Sequence, residues 1–419
     1  MAAAALIVGG CGGAVGGGAV GGKAGPGARD GGSSAGLAGR TAGPGATASA
    51  RGSGLAGQRP VSAPAGSPLS ARWTGDGKPV TLAFGGDVHF AGVLGARLAA
   101  DPATALSGSV GRLVSGADVA MTNFESALTG DDDCPDPQAK QYVFHAPPAA
   151  ITALRSAGVS VVSEANNHGE DCGRAGLEQS LGIARSAGFP VIGIGRDAAQ
   201  ALTPYRTVAD GQRIAIIAAT QVLDTDLQAG WTATAAQPGL ASAYRERQLV
   251  TAVQRARRTS DTVAVYLHWG TETQQCPNEV QQPLARALVR AGADIVVGAH
   301  AHVQLGAGYL GSALVDYGLG NLAFYDTTPP ETYSGTLIVS VTGRHIDGYR
   351  WRPALIEAGL PVPEKGPAAA AARQRWRALR GCTGLSGRPA GSLATRHSET
   401  TRFAGPGFSS LAEPPGDSP

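Results

Sequence analysis

The sequence predicts one large α/β domain, with a sheet covered by helices on both faces. Short apolar runs alternate with helical stretches between residues 80 and 341, and this alternation is typical of βαβ units. Gly, Ala, Ser and Pro dominate residues 1–76 and a similar composition begins at 386, which leaves about three hundred residues between them. That length is enough for one domain with a sizeable core.

The predicted strands and helices follow from these runs in chain order. We predict strands at residues 80–84, 118–122, 159–163, 191–194, 214–220, 262–267, 294–298, 314–317 and 336–341. We predict helices at residues 102–113, 148–157, 176–187, 244–258, 280–291 and 368–379. Gly158, Gly188 and Gly292 follow three of these helices, as helix C-termini prefer. Pro367 suits the start of the last helix, and Cys382 is placed to pin its end.

The two ends of the chain are predicted to be disordered, because they contain too few large apolar side chains to offset chain entropy. We divide the chain into a lipoprotein signal remnant at 1–11 and a Gly/Ala/Ser/Pro-rich tether at 12–78. The folded domain follows at 79–385, and a disordered tail at 386–419. No uninterrupted apolar run reaches the roughly 18 residues of a membrane helix.

Cys11 lies in a short segment that resembles a bacterial lipidation site. Small residues precede it and a Gly-rich spacer follows, but the basic region is missing and the apolar run is short for a signal peptide. Two interpretations stay open. If the true start lies upstream, Cys11 carries lipid and the protein is an extracytoplasmic, cell-surface lipoprotein held to the membrane by a flexible tether. Otherwise Cys11 has no such role.

Four further cysteines remain in the predicted domain and its helical end: Cys134, Cys172, Cys276 and Cys382. An even number in an exported protein favours two disulfides, and three pairings are open. The alternative is free thiols in a cytosolic protein.

The charge of the chain predicts no nucleic-acid partner. The formal net charge is +2, and the arginines are scattered along the sequence rather than gathered in one run. We interpret even the basic run at 255–258 as a solvated helix face.

Polar side chains of metal-binding type follow five predicted strands. Five of the eight histidines are among them. The segments are Asp87-Val-His89, Asn123-Phe-Glu125, Asn167-His168, His268-Trp-Gly and His300-Ala-His302. Because the C-terminal ends of parallel strands share one edge of a sheet, we expect all five to converge on one site.

The residue types at these strand ends fit a pair of divalent metal ions. Two ions about 4 Å apart need terminal ligands and a carboxylate that bridges them. Imidazole nitrogens combined with carboxylate and amide oxygens suit Zn, Mn or Fe rather than Ca. A single Asp-x-His or His-x-His is a weak signal, whereas five segments in order at strand ends are a strong one.

The same segments resemble a known family. Their order and their amino-acid sequences are similar to those of the CapA (poly-γ-glutamate capsule synthesis) branch of the calcineurin-like metallophosphoesterases. The matching segments, from residue 84 to 324, are FGGDVHF, TNFES, ANNHGEDCG, LHWGTE, VVGAHAHV and DYGLGNLAF. This resemblance implies a four-layer αββα sandwich, in which two sheets are flanked by helices.

The resemblance also implies roles for individual residues. Asp87, His89, Glu125 and His302 would bind the first metal, and Glu125, Asn167, His268 and His300 the second. His168 would face the scissile group as an acid or anion contact, and Asn123, Glu272 and Asn321 would orient the ligands. Two departures matter: Glu125 stands where classical phosphoesterases have Asp, and Glu164 is acidic where an apolar residue is expected. Glu164 is either an additional hydrogen-bond acceptor or an exposed side chain.

These features predict a metal-dependent hydrolase of the phosphoesterase type at the cell surface. A metal-activated water would attack a phosphoester, or an amide or ester of an anionic polymer such as poly-γ-glutamate. The alternative is a non-hydrolytic role, in which the same site binds the polymer during export or anchoring. Capsule-synthesis machinery is the expected protein partner in both cases.

Overall fold

The computed structural model describes residues 76–130, 134–325 and 328–390. Cys11, the predicted signal remnant, nearly all of the tether and most of the tail lie outside the described residues. The predicted domain boundaries therefore stay predictions. Among the helices that are described, none combines the length and the apolarity needed to cross a bilayer.

The strands and helices of the described residues have the following bounds. The strands are Val80–Val88 (β1), Val119–Phe124 (β2), Ala127–Leu128 (β3), His145–Ala146 (β4), Val161–Ser163 (β5), Val191–Ile192 (β6), Ile194–Gly195 (β7), Tyr205–Ala209 (β8), Gln212–Thr220 (β9), Gly239–Leu240 (β10), Thr262–Trp269 (β11), Ile295–His300 (β12), Ala307–Leu310 (β13), Ala313–Asp316 (β14), Asn321–Ala323 (β15), Tyr333–Thr342 (β16), His345–Glu357 (β17) and Leu360–Pro363 (β18). The α-helices are Val93–Ala100 (α1), Val110–Val114 (α2), Ala149–Ser156 (α3), Gly173–Ala187 (α4), Ala198–Ala201 (α5), Gln228–Trp231 (α6), Glu246–Arg257 (α7), Gln281–Ala291 (α8) and Gly366–Ala378 (α9).

Two large sheets contain most of the strands. The first has the order β18-β17-β16-β1-β2-β5-β6, with β15 also paired to β1. The second has the order β13-β14-β12-β11-β9-β8. Neighbouring pairs from β1 to β6 in the first sheet and from β14 to β9 in the second are parallel, so each sheet gathers several strand C-termini at one edge.

Three buried clusters define the layers. The central cluster lies between the sheets and joins Phe84 of the first to Tyr266 of the second. A second cluster packs the helices α1 to α3 on the outer face of the first sheet, and a third packs α7 and α8 on the outer face of the second. This order of helix, sheet, sheet and helix confirms the predicted four-layer αββα sandwich.

Several predicted elements differ from the structure. Residues 102–113 are a series of turns that leads into the short α2, and α1 was not predicted. The predicted strand at 191–194 is interrupted at Gly193, where φ is +87° and an added Cβ would lie 2.4 Å from the Cβ of Ala165. The prediction that 336–341 is the last strand was wrong, because β17 follows it with 13 residues. Gly348 and Pro353 inside β17 resemble strand breakers, but pairing with β16 along one side tolerates both.

Candidate metal centre

The two sheets bring the predicted strand-end residues together where their C-terminal edges meet. Asp87 lies near the end of β1, beside Asn123 of β2, and Glu125 follows β2 directly. His268 lies next to the end of β11, and His300 ends the neighbouring strand β12. A hydrogen bond from the backbone N–H of His300 to Asp87 Oδ2, at 3.1 Å, joins the two sheets at this point.

Glu125 lies at the centre of this arrangement. It is fully buried, and its Oε1 lies 3.8 Å from His268 Nε2 and 3.8 Å from His302 Nε2. Two triads of possible metal ligands share it: Glu125 with His268 and His300, and Glu125 with Asp87 and His302. The ligand atoms in each triad lie within 4.8 Å of one another. We call the five residues of these two triads the ligand cluster.

Two further predicted residues lie within reach of the ligand cluster. The exposed Glu272 forms a third triad with His300 and His302, so its carboxylate is itself within ligand distance. Asn167 Oδ1 lies 2.7 Å from His268 Nε2. An additional carboxylate and an amide oxygen therefore adjoin the cluster.

His89, which is predicted to bind the first metal, belongs to none of the triads found in the described residues. Its ring stacks on Phe324, with centroids 4.1 Å apart, and its Nε2 accepts a hydrogen bond from the backbone N–H of Tyr325. Its role as a ligand stays a prediction.

Two asparagines form hydrogen bonds with residues of the ligand cluster. Asn123 donates from Nδ2 to Asp87 Oδ1 at 2.8 Å, and the same amide lies 3.5 Å from Glu125 Oε2. Asn321 Oδ1 lies 2.9 Å from His302 Nδ1. An amide oxygen can only accept, so Nδ1 of His302 carries the hydrogen and Nε2 keeps its lone pair on the side of Glu125. Such hydrogen bonds fix both the tautomer and the ring orientation of a metal ligand.

The electrostatics of the cluster favour a bound cation. Burial raises the pKa of Asp87, and burial followed by the charge of Asp87 raises the pKa of Glu125 well above its ordinary value. Burial also lowers the pKa of His89 and of His300 to about 3. In the protein alone, burial therefore disfavours the charged form of each of these groups, whereas a divalent ion favours the carboxylate anion and the free imidazole.

Unpaired atoms support the same conclusion. In the described residues, Glu125 Oε1, His89 Nδ1 and His300 Nδ1 are buried and have no hydrogen-bond partner. Unsatisfied buried polar atoms are costly, and metal coordination is one way to satisfy them. The mixed nitrogen and oxygen donor set fits Zn, Mn or Fe.

The backbone at the end of β12 is strained. His300 has φ +93° and His302 has φ +56°, in the region that glycine adopts more readily. Such strain costs of order 1–3 kcal/mol per residue and is typical of functional sites. Here it accompanies two histidines that share triads with Glu125 and Glu272.

His168 belongs to a separate network beside the cluster. Its Nδ1 lies 2.6 Å from Asp171 Oδ2, and the other oxygen of Asp171 accepts from Lys140 Nζ at 2.7 Å. Lys140 also donates to the backbone carbonyl of Asn167. Asp171 is completely buried, and Phe144 packs on the His168 ring at 4.4 Å between centroids.

Sequence analysis missed Asp171 and Lys140. The three-residue spacing from His168 to Asp171 was a usable signal, because such a spacing lets two side chains meet in a turn. Lys140 is one of only four lysines, but its contact with Asp171 crosses a loop and no sequence motif indicates it. Asn166 was also missed. It donates to Asn123 Oδ1 at 3.0 Å, and Asn123 in turn donates to Asp87 of the ligand cluster.

Glu164 is buried, so the alternative that it is exposed was wrong. Its Oε1 accepts from Ser180 Oγ at 2.7 Å and from the Leu128 N–H at 3.1 Å. Its Oε2 has no partner among the described residues. Burial raises the pKa of Glu164, and separately that of the neighbouring Glu170, to about 8.

The four cysteines form two disulfides, Cys134–Cys172 and Cys276–Cys382. This resolves the choice among three pairings. The first disulfide joins the loop that carries Lys140 to the segment that follows His168. The second joins Cys382, at the end of the short 3₁₀ helix Leu379–Cys382 that follows α9, to the loop that follows Glu272, as Cys382 was expected to do. We call this 3₁₀ helix the last helical segment.

Comparison with known proteins identifies the family. Residues 81–326 match the family described as bacterial capsule synthesis protein PGA_cap, which is more than half of the chain. The chain therefore belongs to the PGA_cap family.

Two curated relatives agree with this assignment. The chain is 30% identical over 211 residues to the capsule biosynthesis protein CapA of Bacillus anthracis, covering 49% of this chain and 50% of the relative. It is 30% identical over 210 residues to the PGA biosynthesis protein CapA of Bacillus subtilis, covering 49% of this chain and 53% of the relative. The matched region thus spans about half the length of these relatives.

Solved structures show a more distant likeness. A phosphatase of Mycoplasma pneumoniae has a TM-score of 0.39 at 12% identity, covering 70% of this chain and 96% of the other. The NAD nucleotidase of Haemophilus influenzae has a TM-score of 0.37 at 12% identity, covering 74% of this chain and 65% of the other. At this level the likeness carries no argument about activity.

Proposed function

We propose that this domain is a metal-dependent hydrolase of an anionic polymer of the poly-γ-glutamate type. The observation that carries the proposal is the position of Glu125, which two triads of ligands share. A shared carboxylate with imidazole nitrogens on two sides is suited to binding a pair of divalent ions.

The substrate class comes from the family. The family description names capsule synthesis, and the Bacillus subtilis relative is described as a PGA biosynthesis protein. Poly-γ-glutamate offers an amide bond for hydrolysis and a free carboxylate on each unit. We extend this substrate class to the present chain because its ligand cluster lies within the matched region.

The chain's own residues would prepare the reaction in distinct ways. Bound divalent ions would supply a polarised water and positive charge for a developing oxyanion. Asn123 and Asn321 hold Asp87 and His302 in place. Asp171 accepts the Nδ1 hydrogen of His168, which leaves the Nε2 lone pair to take the proton that the attacking water gives up and then pass it to the leaving group.

An extracytoplasmic location is part of the proposal. Two disulfides in one domain are typical of proteins that fold in an oxidising compartment. A lipid anchor at Cys11 remains a proposal, and intact-mass measurement of the protein from its native host tests it. An unmodified Met1 terminus on cytosolic protein would contradict both points.

Metal analysis followed by a hydrolysis assay tests the activity. The full chain should bind about two divalent ions and shorten poly-γ-glutamate, as seen in polymer size and released amines. Glu125→Gln should lose most of the metal and the hydrolysis. Glu178→Gln is the matched control, because Glu178 is exposed on α4, and it should retain both.

Two results would overturn parts of the proposal. Normal metal content in Glu125→Gln would refute the shared carboxylate. If the metal-loaded protein binds the polymer without cleaving it or a generic phosphodiester, the site handles the polymer and does not hydrolyse it.

A further inference from the structure

The outer part of β17 and the helix α9 form a surface rich in arginine. Two clefts of about 270 and 480 Å³ adjoin there and share Arg350, Trp351 and Arg373. Six arginines line them: Arg112, Arg350, Arg352, Arg373, Arg377 and Arg380. We call these six residues the arginine surface. No sequence motif indicates it, because its members come from positions as far apart as 112 and 380.

The positive charge of this surface is poorly compensated. Glu364 is the one carboxylate that lines either cleft, and among the described residues no ion pair joins any of the six arginines to an acid. Burial and the charge of Arg350 lower the pKa of Arg352, so these two neighbours repel each other. Like charges gathered within a Debye length of about 8–10 Å destabilise a surface unless an anion binds there.

The framework beneath the arginines is rigid. Trp351 of β17 stacks on Trp376 of α9, with ring centroids 5.4 Å apart and planes at 13°. Arg380 donates to Tyr349 Oη at 3.2 Å, which ties the end of the last helical segment to the same strand. The stacked rings and this hydrogen bond fix the positions from which the arginines extend.

Three of the arginines are free to meet a ligand. The side chains of Arg112, Arg350 and Arg377 are exposed and form no hydrogen bond within the described residues. Arg352, in contrast, donates to the backbone carbonyl of Ser115 at 2.7 Å. The guanidinium groups of these three arginines are therefore available to an anion, and two of them, Arg350 and Arg377, line the same cleft.

A short stretch of chain connects the arginine surface to the ligand cluster. Arg380 lies two positions before Cys382, whose disulfide partner Cys276 lies four positions after Glu272. Six residues and one disulfide span at most about 27 Å. Glu272 in turn forms a triad with two histidines of the ligand cluster. A long flexible polymer that contacts the arginine surface can therefore also reach the cluster.

We infer that the arginine surface binds a flexible polycarboxylate chain and so feeds the polymer to the ligand cluster. This inference rests on the proposed function for the identity of the polymer. Arginine matches carboxylates because its planar guanidinium can form two parallel hydrogen bonds with one carboxylate. Several such contacts along one chain give binding that weakens steeply with salt, because counterions are released.

Binding of fluorescently labelled poly-γ-glutamate to the full chain tests the inference, measured by anisotropy with a chelator present to keep metal out of the cluster. The variant R350E/R377E should bind at least about tenfold more weakly and show a shallower salt dependence. The matched control R255E/R258E makes the same change in net charge at two exposed positions of the α7 end and should change affinity by less than about twofold.

A charge-preserving variant separates carboxylate recognition from simple attraction. R350K/R377K should bind poly-γ-glutamate about threefold more weakly, because lysine keeps the charge and lacks the planar guanidinium group that forms two parallel hydrogen bonds. Thermal melting of each variant should match the parent protein, since both arginines are exposed. If R350K/R377K melts at the same temperature as the parent protein and binds as weakly as R350E/R377E, the shape of the guanidinium group contributes more to the affinity than its charge does. The inference stands in that case.

Three outcomes would overturn the inference. Equal losses in R350E/R377E and R255E/R258E would show that only net charge matters, and no loss in R350E/R377E would show that the polymer binds elsewhere. Duplex DNA of equal charge that binds as tightly as poly-γ-glutamate would refute the carboxylate preference. If the chelated protein binds through the arginines while the metal-loaded protein shows no hydrolysis, the inference survives and the hydrolase proposal fails.

Discussion

The ligand cluster and the arginine surface use charge in opposite ways. In the cluster, titratable groups are buried, the pKa values of Glu125 and His300 are shifted towards the neutral forms, and asparagine amides form hydrogen bonds with Asp87 and His302. On the arginine surface the charges are accessible to solvent, always ionised and largely free of partners. The cluster is thus organised for a small ion in one place, whereas the surface suits a long anion that can shift along it.

The largest effect is expected on turnover, when His168 beside the ligand cluster is replaced. His168→Ala should lower the hydrolysis rate by about 10²–10⁴-fold, because it removes the proposed general acid. Metal content should be unchanged, since neither ring nitrogen belongs to a triad of the described residues. Asp171→Asn should give a smaller loss and an altered pH profile. Unchanged turnover in His168→Ala would contradict the assigned role.

The second-largest effect is expected on the pH dependence of stability, to which the carboxyl of Glu164 beside the cluster contributes. Its pKa is about 8 in the folded protein and near the ordinary value of 4.5 when unfolded. The folded state therefore binds the extra proton, so this contribution to stability is full below pH 4.5 and is lost as the pH rises through 8. Glu164→Gln should remove a pH dependence on the order of a few kcal/mol. Melting temperatures measured between about pH 5 and 9 report this pH dependence. If the melting temperature changes equally with pH in the parent protein and in Glu164→Gln, the buried carboxyl of Glu164 does not have the raised pKa.

A third effect concerns metal affinity and the amide of Asn123. Asn123→Ala removes hydrogen bonds to Asp87 and from Asn166, and should weaken metal binding by about 10–100-fold. Titration with a competing chelator measures this. The matched amide control is Asn278, which donates to Thr271 Oγ1 at 3.1 Å and to no residue of the ligand cluster. Equal weakening in Asn278→Ala would show that the effect is not specific.

The smallest effect is expected at the arginine surface. Arg350→Ala should change the free energy of unfolding by less than about 0.5 kcal/mol, because the side chain is exposed and repels Arg352. Urea unfolding measures this change. A loss of more than about 2 kcal/mol would show that Arg350 has a structural partner and is not available for a ligand.

The difference between the two regions explains what the sequence could predict. Each residue of the ligand cluster adjoins a strand, and parallel strands align their ends, so local motifs are enough to place these residues together. Arg350 and Arg377 lie on an unpredicted strand and on the last helix, and only tertiary packing of Trp351 on Trp376 makes them neighbours. The contact between Lys140 and Asp171 was missed for the same reason.

The position of Glu164 shows a further limit. A single acidic residue next to an apolar strand does not reveal whether Ser180, 16 positions later on α4, will face it. The disulfide pairing was open for a similar reason, since the four cysteines are equivalent in sequence and only the loops' packing selects among them.

The hydrogen bond from His300 to Asp87 spans 213 positions of the chain. During synthesis, Asp87 and Glu125 of the first sheet are made long before the histidines at or near the ends of β11 and β12. No complete triad can therefore form early, because each triad contains at least one of those histidines. Under the proposed function, metal capture would therefore be a late event that follows the docking of one sheet on the other. The ion would then act as a cross-link that stabilises only the finished molecule, by an amount set by its free concentration relative to its dissociation constant.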